Sequence, residues 1–258
     1  MTALPIMNYP RLPLLLLPGT ACDDRVFAPV IERLGDYPVV IGHMDGARTM
    51  PDLAAAILAS APPRFLLAGF SLGGICAFEM IARQPERIAK LCLIDTTARP
   101  DPPANAEVRH KAVRDARENG MDGYILDAWQ RLVAPVNADD MALRETIVAM
   151  ARDCGPDRLA EQADVAIFRE DSRPRLSAIT QPTLVLAGVH EQVCPLDAQD
   201  EIVAGIAGSE LHLVADAGHF APLENPAAVA LHLKRWLEGG PDPLPQTPAQ
   251  SNGRTCHE

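Results

Sequence analysis

Residues 64–88 read RFLLAGFSLGGICAFEMIARQPERI, and at their centre lies Gly-Phe-Ser-Leu-Gly, residues 69–73. An apolar run ends at Ser71, and an amphipathic run starts immediately after it. A Gly-x-Ser-x-Gly sequence between a strand and a helix is typical of a nucleophile elbow, a tight turn that exposes the serine hydroxyl above the carboxyl end of a sheet. Gly69 and Gly73 are small because larger side chains would clash across that turn. The stretch therefore predicts a strand-turn-helix unit that carries a serine nucleophile.

Six short apolar runs rich in Val, Ile and Leu are bounded by Gly, Pro or Asp. Continuous apolarity predicts strands that are buried on both faces, as in a parallel sheet. The runs are residues 12–17, 37–44, 64–70, 89–96, 183–188 and 210–215. Helical patterns alternate with them at residues 50–61, 72–83, 196–206 and 226–237. This alternation predicts an α/β protein with a doubly wound, mostly parallel sheet.

One interval, residues 98–179, contains no strand pattern. It is far too long for a structureless loop in a compact domain, and four helical patterns fill it. These are residues 104–118, 122–132, 139–151 and 157–168. We therefore predict a core of residues 1–97 and 180–238 with a helical insertion over the sheet. Residues 239–258 contain four prolines and almost no apolar residue, which predicts a disordered tail.

Charge and composition disfavour several classes of partner. The 258-residue chain has a formal net charge of -11, which disfavours non-specific binding to nucleic acid or to an anionic membrane. The apolar run at residues 12–17 is too short for a signal core or a membrane span. Six cysteines lack paired spacing, so reduced thiols are expected rather than a disulfide framework. The sequence predicts a soluble cytoplasmic protein and makes no prediction of its oligomeric state.

A serine hydroxyl is a weak nucleophile, so the chain must also supply a base and a carboxylate that orients the base. In α/β folds with a nucleophile elbow, the serine comes first in the chain, then the acid, then the histidine. His219 fits this order, because it follows an apolar strand pattern and Gly218 and precedes the last helical pattern. His43 also follows a strand end but precedes the serine. We predict that His219 is the base.

Two carboxylates compete for the role of the acid. Glu191 follows the strand pattern at residues 183–188, and Asp95 lies at the end of the pattern at residues 89–96. Either one would project from a strand end near Ser71. We favour Glu191 and keep Asp95 as the alternative, because the geometry around the base must be right before acidity matters.

Developing negative charge on a substrate carbonyl needs N–H donors. The backbone N–H of Leu72 lies at the start of the predicted helix, where the helix dipole assists it. The second donor should come from the loop after the first strand, and we predict the N–H of Thr20. Gly19 would allow close approach there, although Pro18-Gly19 would also make a plain strand-exit turn.

Together these residues resemble the α/β-hydrolase family, and most of all its bacterial esterase-like members with a helical cap. The family's Gly-x-Ser-x-Gly, strand-Gly-x-x-Asp and Gly-His-x-x-x-x-Glu-x-Pro segments correspond to residues 69–73, 188–191 and 218–226. The resemblance covers roughly residues 12–237. Two positions depart from it, since Glu191 replaces the family's Asp and Pro18-Gly19 replaces its common His-Gly.

The resemblance implies that residues 98–179 form the cap that shapes the acyl or alcohol pocket. Tyr124, Trp129 and Phe168 are candidate pocket walls. It also implies a hydrolase of a carboxylic ester or related acyl bond of a small molecule, acting through an acyl-serine intermediate. Cleavage of a carbon–carbon bond in a diketone, opening of an enol-lactone and acyl transfer would use the same residues. A non-catalytic ligand-binding homologue is the remaining alternative, and no cofactor or metal is predicted.

Overall fold

The computed structural model describes residues 11–239, so residues 240–258 of the predicted tail lie outside the described residues. Six parallel strands form one sheet in the spatial order β2-β1-β3-β4-β5-β6. They are β1 (Leu14–Leu17), β2 (Val39–Ile41), β3 (Phe65–Phe70), β4 (Ile88–Ile94), β5 (Thr183–Gly188) and β6 (Glu210–Val214). The predicted α/β class and doubly wound parallel sheet are confirmed.

Helices cover both faces of the sheet, because successive side chains of a strand point to opposite sides. On β1, Leu14 and Leu16 belong to one apolar cluster, whereas Leu15 and Leu17 belong to the other. The first cluster includes residues of α1 (Ala28–Leu34) and α10 (Pro226–Glu238). The second includes residues of α2 (Met50–Ser60), α3 (Leu72–Arg83) and α8 (Leu196–Gly205). A short helix, α9 (Ala221–Glu224), precedes α10.

The segment between β4 and β5 contains only helices among its regular elements. They are α4 (Asn105–Asn119), α5 (Asp122–Leu126), α6 (Trp129–Leu132) and α7 (Met141–Ile167), besides short 3-10 turns. The sequence predicted one helix at residues 122–132, where the structure has two. It predicted two helices where α7 runs with a break. Gly155 adopts a φ of 72° there, a left-handed conformation that suits glycine, and Pro156 begins the second stretch.

Strand order positions the site. The chain moves from β1 outward to β2, then returns past β1 to β3, so the direction of winding reverses between β1 and β3. Ligands of open α/β sheets bind beyond the carboxyl ends of the strands at such a reversal. Ser71 follows β3 and Thr20 follows β1, which brings both to this point. Among the described residues, the helices are too short or too polar to cross a bilayer.

Candidate active site

Ser71 lies between β3 and α3 with φ 51° and ψ -116°, an unfavourable backbone conformation for a residue with a side chain. Its N–H donates to the carbonyl of Ile94 on the neighbouring strand at 2.9 Å. A Cβ on Gly69 would lie 2.4 Å from the carbonyl oxygen of Gly73, and a Cβ on Gly73 would lie 2.1 Å from that of Leu17. Both glycines are therefore required by backbone contacts, as the tight turn implied.

A hydrogen-bonded chain of three side chains starts at Ser71. Its Oγ is 3.0 Å from Nε2 of His219, and Nδ1 of His219 is 2.6 Å from Oε2 of Glu191. The His219 and Glu191 side chains are 6% and 0% exposed. The second oxygen of Glu191 accepts the N–H groups of Val193 and Cys194, which fixes the carboxylate. The structure thus brings together the three residues that the sequence proposed.

The loop that carries His219 is held by Glu224 at the end of α9. One oxygen of Glu224 accepts the N–H groups of Gly218 and Phe220 at 2.8 and 3.1 Å. The other accepts the N–H of Ala134 at 2.6 Å and the side chain of Asn137 at 2.9 Å. Glu224 is the Glu of the Gly-His-x-x-x-x-Glu-x-Pro segment, so the motif contained the signal for this role.

Asp95 follows β4 and is completely buried, with a φ of 46°. Its Oδ1 accepts the N–H of Gly188 at 2.8 Å. Its Oδ2 has no hydrogen-bond partner among the described residues. Burial, together with the nearby charge of Glu191, raises the pKa of Asp95 well above its usual value. This carboxyl accepts a hydrogen bond from the last residue of β5, while the imidazole of His219 is hydrogen-bonded to Glu191.

The residues of both predicted oxyanion donors line the cavity that Ser71 lines. Leu72 is the first residue of α3, and Thr20 lines the same cavity as Ser71. The loop after β1 packs directly on the serine, since a Cβ on Gly19 would lie 3.1 Å from Cβ of Ser71. Ala21, which follows Thr20, has a φ of 55° and donates its N–H to the side chain of Gln162. Sequence reasoning missed Gln162.

A cavity of about 800 Å³ opens above Ser71, Thr20 and His219. Residues of α4, α5 and α7 form much of its wall, including Tyr124. Two other aromatic residues do not line it, and those predictions are wrong. Trp129 is buried and donates its indole N–H to the carbonyl of Ala138 at 2.8 Å. Phe168, just past the end of α7, is 67% exposed.

The wall also contains a charged cluster that the sequence analysis did not single out. Asp101, Arg109 and Arg169 all line the cavity. Burial alone would raise the pKa of Asp101, but hydrogen bonds and charges of the two arginines outweigh it, so the pKa is lowered. Within residues 11–239, no group of three or more His, Cys, Asp or Glu side chains has the arrangement of a metal site.

The alpha/beta hydrolase family model matches residues 14–231, from β1 into α10. The chain belongs to the alpha/beta hydrolase family. The match spans Ser71, Glu191 and His219, and relatives of this alpha/beta hydrolase bear the names of esterases and other hydrolases. Its membership in this enzyme family agrees with the resemblance noted in the sequence.

One curated relative is the pimeloyl-(acyl-carrier protein) methyl ester esterase of Neisseria meningitidis serogroup B. It is 28% identical over 253 residues, which cover 87% of this chain and 92% of the relative. Among solved structures, a thermophilic esterase from Thermogutta terrifontis has a TM-score of 0.79 and 28% identity, over 88% and 90% of the two chains. An enol-lactonase from Burkholderia xenovorans LB400 has a TM-score of 0.79 but 21% identity, over 90% and 93%, and shows the fold alone.

Proposed function

We propose that this alpha/beta hydrolase cleaves a carboxylic ester, or a related acyl bond, of a small molecule through an acyl-serine intermediate. The observation that carries the proposal is the unbroken hydrogen-bonded chain from Oγ of Ser71 through His219 to Glu191. A separation of 3.0 Å between Ser71 and His219 lies within the range for proton transfer to a general base. At its Ser71 end, this series of hydrogen-bonded side chains lines a cavity large enough for a small-molecule substrate.

In the acylation step, Oγ of Ser71 attacks the substrate carbonyl carbon while its proton passes to Nε2 of His219. Glu191 accepts the N–H at Nδ1, selects the tautomer that leaves Nε2 free, and stabilises the imidazolium that forms. The N–H groups of Leu72 and Thr20 are our candidates for stabilising the oxyanion. His219 then gives its proton to the departing alcohol, and the acyl group remains on Ser71.

Deacylation repeats the same transfers with water. His219 takes a proton from a water molecule, and the resulting hydroxide attacks the acyl carbonyl carbon. The second tetrahedral intermediate collapses, the acid leaves, and the proton returns to Oγ of Ser71. We propose that residues 98–179 act as a cap on the core of residues 1–97 and 180–238, because the insertion supplies much of the cavity wall and thereby selects the substrate.

Ester hydrolysis is preferred among reactions that the same residues could run, because two relatives at 28% identity bear esterase names. Carbon–carbon cleavage, lactone opening and acyl transfer remain alternatives for the substrate panel. The non-catalytic alternative is disfavoured by the strained backbone of Ser71, because a binding protein has no need of a strained, cavity-lining serine bonded to a buried histidine.

The experiment combines covalent labelling with turnover. The purified chain is treated with a fluorophosphonate, and the labelled peptide is identified by mass spectrometry. Turnover is measured on 4-nitrophenyl esters of graded acyl length, on lactones and on diketones. Ser71→Ala and His219→Ala test the site. Ser209→Ala is the matched control, because its hydroxyl bonds the carbonyl of Ile206 near the end of α8.

We expect one label, on Ser71, with ester turnover in the wild type and in Ser209→Ala. Both should be lost in Ser71→Ala, with a fall in kcat of roughly 10³ or more. A folded wild-type protein that takes no label and turns over no substrate would contradict the proposal and favour a ligand-binding role. Labelling with turnover of lactones or diketones alone would keep the nucleophile and replace the ester by that substrate.

A further inference from the structure

The charged cluster in the cavity wall joins three parts of the chain. Arg109 on α4 forms a two-point ion pair with Asp101, with Nε and Nη2 at 2.8 and 2.9 Å from the two carboxylate oxygens. Arg169, which follows α7, places Nη1 3.0 Å from Oδ1 of the same carboxylate. The side chains of Asp101 and Arg169 are 2% and 6% exposed. Two cations therefore share one buried anion.

The other neighbours of the two arginines carry no compensating charge at neutral pH. Burial raises the pKa of Tyr124 to about 12, and it also raises the pKa of the Cys194 thiol, so both stay neutral. Within residues 11–239, Asp101 is the carboxylate that contacts Arg109 and Arg169. An excess positive charge in a partly desolvated wall is costly unless an anion joins it.

Charges at the mouth of the cavity do not supply that anion. Lys111 pairs with Asp115 at 2.5 Å, and their side chains are 67% and 50% exposed. Asp127 and Arg131 are also exposed and have opposite charges. The excess of one cation therefore lies at the buried cluster, and it stands out in a chain whose formal net charge is -11.

Donor groups of the cluster remain available to the cavity. Arg169 uses Nε on the carbonyl of Arg99 and Nη1 on Asp101 and Ala166. Within residues 11–239, these bonds and those of Arg109 leave Nη2 of Arg169 and Nη1 of Arg109 unused. Both arginines line the same cavity as Ser71. A guanidinium group binds a carboxylate through two parallel hydrogen bonds, and this pairing is stronger than one between neutral groups.

We propose that the substrate carries a carboxylate in addition to its scissile acyl bond, and that Arg109 and Arg169 bind this carboxylate while Ser71 attacks the acyl carbon. This inference rests on the proposed function of the Ser71 site. A single excess positive charge matches a monoanion. The substrate class is then a half-ester of a dicarboxylic acid, or an ester whose alcohol part is acidic.

The test uses pairs of substrates that differ in one charge. Mono-4-nitrophenyl esters of C5 to C8 dicarboxylic acids are compared with the same compounds whose free acid is capped as a methyl ester. We measure kcat and KM for the wild type, Arg109→Gln, Arg109→Lys and Arg169→Gln. Lys111→Gln is the matched control, because it removes an exposed positive charge from the same helix as Arg109.

We expect the wild type to prefer the free acid in kcat/KM by about tenfold to hundredfold at its best chain length, because hydrogen bonds to charged groups have effects of this size. Arg109→Gln should lose that preference through a higher KM for the acid, so that its kcat/KM becomes similar for the free acid and the neutral ester. Arg109→Lys should keep part of it, because the charge remains without the two-point geometry. Lys111→Gln should retain it. If Arg169→Gln does not fold, the two Arg109 variants decide the test.

Equal kcat/KM for both members of every pair would overturn the inference while leaving the serine hydrolase in place. So would an equal loss of preference in Lys111→Gln, which would assign the effect to the general field at the cavity mouth. A second readout needs no turnover: monomethyl adipate should slow labelling of Ser71 by the fluorophosphonate more than dimethyl adipate does. Absence of labelling and turnover together would contradict the proposed function itself.

Discussion

The side-chain oxygen of Gln162 accepts the backbone N–H of Ala21 at 2.9 Å, across a sequence separation of 141 residues. The amide nitrogen of the same side chain donates to the carbonyl of Met44 at 2.9 Å. Gln162 is 1% exposed, so water does not compete for either bond. One buried amide on α7 therefore fixes the loop after β1, which contains Thr20, to the loop after β2.

Replacing Gln162 by Leu should displace the loop that carries Thr20. We expect kcat on the best ester to fall about tenfold to hundredfold, with KM within about threefold, because small misplacements of a stabilising group have effects of this size. The N–H of Ala21 loses its partner, so the free energy of unfolding should fall by about 1–3 kcal/mol. Steady-state kinetics and urea unfolding measure both effects. Gln130→Leu, at an exposed position of α6, is the control, and wild-type kcat in Gln162→Leu would contradict the positioning role.

Replacing Glu191 by Gln should remove most of the activity, because an amide cannot stabilise the imidazolium and favours the wrong tautomer of His219. We expect kcat to fall by roughly 10³–10⁴, as for the equivalent change in serine proteases. Asp95→Asn should retain kcat within about threefold, because the amide oxygen can still accept the N–H of Gly188 and His219 keeps its hydrogen bond to Glu191. Steady-state kinetics of the two purified variants show which substitution lowers kcat more. The reverse ranking would assign the acid to Asp95.

Asp95 should also make stability depend on pH. Its pKa is raised by burial in the folded state, whereas it is about 3.9 in the unfolded chain. At a pH below the pKa of Asp95 in the unfolded chain, Asp95 is protonated in both states, and it does not lower the free energy of unfolding. As the pH rises toward the folded pKa, the unfolded chain ionises first and the folded state loses stability relative to it. The Tm of Asp95→Asn minus that of the wild type should therefore increase between pH 4 and pH 7.

Thermal unfolding across that pH range measures this difference. Asp36→Asn removes a carboxylate whose side chain is 97% exposed and serves as the control. A difference between Asp95→Asn and the wild type that stays constant with pH would mean that Asp95 is ionised in the folded protein.

Gly73→Ala should both destabilise the protein and reduce its activity. The new methyl group would lie 2.1 Å from the carbonyl oxygen of Leu17, so β1 or α3 has to shift. Overpacking of this kind costs about 1–3 kcal/mol or more. Gly123→Ala on α5 is the matched control, because a Cβ there meets no atom within 4 Å and alanine favours a helix. Calorimetry should show a lower Tm than wild type for Gly73→Ala and no decrease for Gly123→Ala. Equal Tm values for the two variants would contradict the steric argument.

The sheet was predictable because burial on both faces leaves a continuous apolar run. β3 and β5 are buried at every residue, and the predicted run for β5 coincides with the strand. The edge strand β2 was less accurate, since only three half-buried residues of the predicted run at 37–44 form the strand. The helix α1 was missed because seven residues are too few to establish a helical period.

The site was predictable where chemistry is local in sequence. Ser71, Glu191 and His219 each follow a strand and have small residues or turns beside them, so position along the chain carried the signal. Gln162 lies within a helical pattern of the insertion and Arg169 directly follows that pattern, and both have partners in distant segments. A helical pattern specifies which residues share a face, but the tertiary contact that turns a polar residue into a tether is set by packing alone.

The break at Gly155 divides α7 into two stretches that an engineer would have to treat differently. The second stretch holds Gln162 and leads to Arg169, so it supports the loop after β1 as well as the cavity wall. A chimera that exchanges residues 98–169 for a foreign insertion discards the tether of Ala21 together with the old specificity. One that exchanges residues 104–154 and rejoins the native chain at the break changes much of the wall while leaving the tether in place.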